Sequence, residues 1–384
     1  MSMELAALAH PSHGRILDII RAAGSISRVE IAQESGMTGA SVTNIVRLLL
    51  DLELIKEIGH AESTGGKRRT LLSIAPESRY AVGIHLQREN TTFIVSDMAG
   101  RLVGRRRTTS GSFDDPSALV RALAVDISET LDDLGIRIAL VVGVGIATSR
   151  AIHEQMQAAD VLAPQLSTMI SLPVIIDREA IAAGVGEFWQ GSLAQPSSFV
   201  TLYMGDEFGV GILNAGAVWR GASSNSGEIG HLAFGNSTTP CRCGGRGCLQ
   251  ATAAPEAVVA AAATAGLTTD EHGASSSDRF DTLARSAVRG DEAASAFLSS
   301  AADEVAHATV VLAGILDVEM VVLAGPGFAI PGAIYATPIR AALDGFCNRQ
   351  GREPISVELA HNPRDTAAVG ASALVLQRAL APRG

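Results

Sequence analysis

The chain has few cysteines, no long apolar run and no excess of positive charge. Four cysteines among 384 residues do not build a disulfide scaffold, and they fit a reducing cytoplasm. No uninterrupted apolar stretch reaches the roughly 20 residues of a membrane span, so a membrane partner is not expected. Met1 to His10 lack a basic region followed by an apolar one, so no secretion signal is expected either. A formal net charge of −10 argues against general affinity for nucleic acid. The length suits two or three domains with a sizeable core.

What cysteine there is lies together. Cys241, Cys243 and Cys248 fall in the run Cys-Arg-Cys-Gly-Gly-Arg-Gly-Cys, with His231 ten residues upstream. Three cysteines and one histidine are a standard tetrahedral donor set for structural zinc. The glycines let the backbone fold back tightly enough to aim the three sulfurs at one point.

The acidic balance hides a neutral segment. Residues 1–80 carry nine Lys/Arg against nine Asp/Glu, so the remainder holds the whole −10. Apolar spacing in this segment predicts three short helices. The first, His13 to Ala22, carries Ile16, Leu17, Ile19 and Ile20. The second, Ser27 to Glu34, opens on a capping-box pattern of Ser27 with Glu30. After Ser35-Gly36-Met37, Thr38 caps a third helix to about Leu52. Val42, Ile45, Val46, Leu48, Leu49 and Leu50 form its packed side. Two strands, Leu54 to Ile58 and Thr70 to Ile74, then flank a glycine-rich link ending in Lys67, Arg68 and Arg69. This is a helix-turn-helix with a wing. Thr38, Ser41, Thr43 and Asn44 are candidates to meet base edges, and Arg47, Lys67, Arg68 and Arg69 to meet phosphates of double-stranded DNA.

Beyond Tyr80 strand and helix signals alternate. Strands are expected at Ala81 to Leu86 and Thr92 to Asp97, at Ile138 to Ile146 and Val174 to Ile176. Further strands are expected at Ser198 to Met204, Gly209 to Leu213 and Glu319 to Leu323. Helices are expected at Pro116 to Leu134, Ala180 to Trp189, Pro255 to Ala265 and Asp291 to Leu316, with a polar loop near Asp270 to Asp278. The pattern is α/β in two lobes.

Gly227-Glu228-Ile229-Gly230-His231, followed by the cysteine triplet, resembles the signature of the ROK family, named for repressors, open reading frames and sugar kinases. Further matches lie at Gly143-Val-Gly-Ile-Ala, Ala180 to Glu187, Leu323-Ala-Gly-Pro-Gly and Val369-Gly-Ala-Ser-Ala. The resemblance implies an actin-like, ribonuclease-H-like two-lobed domain with a sugar cleft, assembled as a homodimer or dimer of dimers. It sets a winged helix-turn-helix at 1–79 and a ROK domain at 80–384. Lobe one would span about 80–190 plus the C-terminal helix, and lobe two about 191–365.

Family kinases carry an Asp-x-Gly-x-Thr phosphate loop; the aligned run here is His85-Leu86-Gln87-Arg88-Glu89. A second glycine loop reads Gly205-Asp206-Glu207-Phe208-Gly209, whose carboxylates oppose phosphate by about 4 kcal/mol per close pair near a surface. The general-base position holds Glu179, whose extra methylene misplaces the carboxylate by about 1 Å, enough to cost on the order of 100-fold in rate. The resemblance assigns Arg178, Glu179, Glu228, His231 and Gln250 to the sugar pocket, with no catalytic residue. Arg178 is expected to pair with Asp177 or Glu179. The expected function is a cytoplasmic sugar-responsive DNA-binding regulator, a repressor. The alternatives are a sugar kinase with a regulatory head and a regulator without effector.

Overall fold

The structure, a computed structural model, describes residues 10–60, 69–190, 197–235, 237–267 and 274–380. The chain divides into two compact units, one of residues 1–177, 189–191 and 371–384, the other of residues 178–188 and 192–370.

The first unit opens on the helical head. Helix α1 (Pro11–Ala23) buries Ile16, Leu17 and Ile20. A short strand, β1 (Ile26–Ser27), leads into α2 (Arg28–Ser35). The expected capping box is present: the Glu30 carboxylate accepts from Ser27 N–H at 2.9 Å while Ser27 Oγ accepts from Glu30 N–H. Thr38 caps α3 (Gly39–Asp51) by accepting from Ser41 N–H at 3.2 Å. Val42, Ile45, Val46 and Leu49 are buried in that helix, but Leu48 and Leu50 are only half-buried. Each lies about 100° from Leu49 around the helix, at the borders of the apolar stripe. Strands β2 (Ile55–His60) and β3 (Thr70–Ile74) pair antiparallel as the wing, with β1 on the other edge of β3. β2 runs two residues past the expected Ile58, through a bulge between Glu57 and Gly59.

The same unit holds a five-stranded sheet. β4 (Tyr80–Leu86), β5 (Asn90–Asp97) and β6 (Leu102–Thr109) form an antiparallel meander. Helix α4 (Pro116–Asp133) precedes β7 (Val141–Thr148), which pairs parallel with β4. Helices α5 (Arg150–Gln155) and α6 (Ala163–Ile170) lead to β8 (Val174–Arg178), giving the order β6-β5-β4-β7-β8. Val82, Ile84, Phe93, Val144 and Ile146 pack with Leu119, Leu123 and Ile127 of α4. The strand expected from Ile138 begins instead at Val141, because Ile138–Leu140 form a single 3-10 turn. β6 escaped the sequence reading because its arginines mask an edge strand.

The second unit repeats this plan. Helix α7 (Glu179–Gln190) follows β8 directly. β9 (Ser198–Met204), β10 (Phe208–Asn214) and β11 (Ala217–Val218) make its meander. After α8 (Leu249–Thr252), α9 (Pro255–Thr264), α10 (Ser276–Val288) and α11 (Glu292–Leu316) comes β12 (Met320–Ala324), parallel to β9. Helix α12 (Gly332–Gln350) and β13 (Ser356–Leu359) complete the order β11-β10-β9-β12-β13, and α13 (Thr366–Leu380) ends the described chain. A meander joined to parallel strands, present twice, is the actin-like arrangement expected. The polar loop expected to reach Asp278 stops at Ser275, whose side chain accepts from Asp278 N–H at 3.0 Å and starts α10. Among the described residues no helix is long and apolar enough to cross a membrane.

Candidate functional site

His231 ends a 3-10 turn, Ile229–His231, just after Glu228. The cysteine run folds back through Cys241 N–H to the Gly245 carbonyl at 2.9 Å and a bridge between Pro240 and Arg246. A second bridge, Ala233 with Cys248, brings the last cysteine beside the histidine. Gly247 has φ 67°, and a Cβ there would stand 2.2 Å from the Ser237 carbonyl, so only glycine fits this closure.

The four donor atoms lie within 4.8 Å of one another. Cys243 Sγ stands 3.7 Å from Cys248 Sγ, and Cys241 Sγ stands 3.6 Å from His231 Nδ1. A tetrahedral ion with sulfur arms of about 2.3 Å has edges of about 3.8 Å, so the donor set fits a metal ion of that geometry. The Gly245 N–H, 3.4 Å from Cys243 Sγ, holds that thiol below its usual range. Burial pushes the Cys248 thiol up to about 12, a cost that a bound cation offsets by binding the thiolate.

Arg178 ends β8 and Glu179 begins α7, so the strand-to-helix junction presents both without a loop. Arg178 Nη1 donates to Glu228 Oε1 at 2.8 Å. Glu228 is thus a partner of Arg178 beyond the expected Asp177 or Glu179, and the loop that carries it lies against β10. Gly227 sets that loop: at φ 84°, an added Cβ would lie 2.0 Å from the Val210 carbonyl. Glu179 is buried near Tyr203, whose phenol is raised well above its usual range by burial and then by the Glu179 and Asp206 carboxylates.

Gln250 does not stand free for a ligand. Its Oε1 accepts from Phe208 N–H at 2.9 Å and its Nε2 donates to the Asp206 carbonyl at 2.7 Å. Residues 205–207 are the tight turn of the β9–β10 hairpin, where Asp206 is exposed and Glu207 forms an ion pair with Arg242. Neither Arg242 nor the turn's use of Gln250 was legible beforehand, since both depend on loops distant in sequence. In the first unit the run from His85 forms the end of β4 and a turn into β5. His85 is buried there, Gln87 N–H donates to the Asn90 carbonyl at 3.1 Å, and Ser110 Oγ donates to the Gln87 carbonyl at 2.6 Å.

On α3, Thr43, Asn44 and Arg47 are exposed together, with Thr38 exposed at the cap and Ser41 half-buried. Thr38 Oγ1 and Ser41 Oγ share a hydrogen bond of 2.9 Å, and Thr43 Oγ1 donates to the Gly39 carbonyl at 2.7 Å. Arg69 is exposed immediately before β3. Lys67 and Arg68 lie outside the described residues.

The model of a winged helix-turn-helix DNA-binding domain matches residues 10–56. The xylose repressor of Caldicellulosiruptor bescii is 28% identical over 245 residues, 61% of each chain. The DNA-binding transcriptional dual regulator NagC of Escherichia coli is 29% identical over 248 residues, 61% of this chain and 60% of that one. The chain thus spans about three fifths of the length of these curated relatives. Among solved structures, a ROK family transcriptional regulator, a homolog of the E. coli MLC protein, superposes with a TM-score of 0.73 at 22% identity. That match covers 97% of this chain and 96% of the other and concerns the fold. The ROK family model matches residues 81–378, and the chain belongs to the ROK family with a winged helix-turn-helix before its ROK domain.

Proposed function

We propose that this chain is a sequence-specific DNA-binding transcriptional regulator, a cytoplasmic repressor controlled by a sugar or sugar derivative and without kinase activity. The observation that carries this reading is the exposed row of Asn44 and Arg47 on a capped helix, in a chain whose phosphate-loop positions are filled by its own side chains. Small polar groups on such a helix reach base edges in the major groove, and arginines fix the duplex through phosphate. The relatives are named as a xylose repressor and as NagC, and carrying those names over supplies the effector class. We assign 1–79 to the DNA head and 80–384 to the ROK domain. The working form is a homodimer or dimer of dimers reading a roughly palindromic operator.

The metal is zinc, held by His231, Cys241, Cys243 and Cys248. It supplies a rigid crosslink for the loop and takes no part in chemistry. Glu228, His231, Arg178 and Glu179 form the effector pocket, with Glu228 accepting from sugar hydroxyls and the ring N–H that zinc leaves on His231 donating to one. Effector control requires that the ligand favour one body conformation over another.

Gel shifts with operator DNA test the head. Arg47→Ala is expected to lower affinity about tenfold and reduce the salt dependence by about one phosphate contact; unchanged binding removes this helix as the DNA face. Thermal-shift measurements test the body. Neutral sugars are expected to raise the melting temperature and Mg-ATP to leave it unchanged. Stabilisation by ATP would favour the kinase reading.

A further inference from the structure

The turn between β9 and β10 is held from one side by residues of the metal-binding loop. One amide side chain spans it: Gln250 accepts from Phe208 N–H at 2.9 Å and donates to the Asp206 carbonyl at 2.7 Å. Gln250 stands two residues after Cys248 on α8, and the Leu249 N–H between them donates at 3.0 Å to the carbonyl of Leu232, the residue after His231. Arg242, flanked by Cys241 and Cys243, reaches the carboxylate of Glu207, the last residue of the turn. All these residues belong to the second unit.

We infer that Gln250 is a positioning residue that fastens the 205–207 turn to the His231–Cys248 loop, so that metal occupancy sets how firmly the turn is held. The inference rests on the metal reading proposed above. The chemistry is particular to an amide, which accepts and donates at once. A glutamate at this place would accept only, and its charge would sit against the Asp206 carbonyl and the Glu207 carboxylate. The Arg242 pair plays a smaller part: its side chain is 55% exposed, and such ion pairs contribute little in water. The fastening also uses up the Phe208 N–H. Backbone N–H groups in glycine loops cradle phosphate, and in this turn the Phe208 N–H is taken by the protein's own Gln250.

Hydrogen exchange at the Phe208 amide reads this bond directly, on the full chain loaded with zinc and assayed for metal content. Gln250→Met, which removes the acceptor, is expected to speed that exchange about tenfold or more. Gln250→Glu, which keeps an acceptor but loses the donation to the Asp206 carbonyl, speeds it less, and Arg242→Ala less than Gln250→Met. Stripping the metal from the unaltered chain with a chelator is expected to speed the same amide. Unchanged protection of Phe208 in both Gln250 variants overturns the fastening. Unchanged protection after verified metal removal overturns the coupling to the metal loop. A chain that binds no zinc at all would remove the metal reading, and with it the coupling, while the Gln250 variants still decide the fastening.

Discussion

At the scale of single residues, the unusual groups are buried acids and thiols whose surroundings change their chemistry. Burial pushes the Glu187 carboxyl up to about 7, against the smaller opposing effect of a hydrogen bond from the His361 backbone. Its folded pKa lies above the unfolded one, so the folded state holds the extra proton between about 4.5 and about 7. Stability from this group is therefore complete below that window and is lost as pH rises through it. Glu187→Gln should erase the loss and be more stable than the parent at pH 8 by on the order of 1–3 kcal/mol. Urea melts at pH 5 and pH 8 check this; a gap between the two proteins that does not widen at the higher pH contradicts it. The donor set was legible from spacing alone, because scarce residue types at short range leave few other uses. Arg178 was legible as an oddity, but its bond to Glu228 was not, since Glu228 is fifty residues away.

At the scale of elements, the head reads well from sequence because its signals are local. Ser27 and Glu30 announce their helix, and the reciprocal bonds are present. Ser27→Ala should cost about 1 kcal/mol, seen as faster amide exchange over residues 28–35; equal protection would mean the box contributes nothing. The elements missed share a different cause. β6 carries three consecutive arginines, Arg105 to Arg107, on a sheet edge, and α12 carries Pro338 inside its length. Both are stabilised by neighbours and not by their own periodicity. Arg106 illustrates this, clamping Asp126, Glu129 and Asp133 of α4 from β6. No pattern along β6 encodes that contact.

At the scale of the molecule, contacts distant in sequence join the parts of each unit. Within the first unit Arg21 of the DNA head stacks 4.2 Å over the Trp189 ring and donates to its carbonyl. A half-buried contact of this kind is worth about 1–2 kcal/mol. Arg21→Ala should loosen the head, giving faster proteolysis within residues 10–60 with the ROK domain's digestion unchanged. An unaltered digestion pattern would mean the head is held elsewhere. Within the second unit the loop from His231 to Cys248 would do comparable work on binding the proposed zinc. Chelation should lower the melting temperature by several degrees and restore it on adding zinc; insensitivity to chelation after verified loss of metal would deny the ion a structural role.

By itself the sequence determined the order of the parts, the helix-turn-helix, the donor set and the departures from the kinase loops. Each is written in spacing over fewer than about 20 residues, where backbone periodicity and residue chemistry suffice. The tertiary structure alone decided who meets whom: Arg178 with Glu228, Gln250 with the β9–β10 turn, Arg21 with Trp189. Those partners lie between 42 and 168 residues apart, and only the pairing of strands and the packing of helices brings such distant side chains within bonding distance.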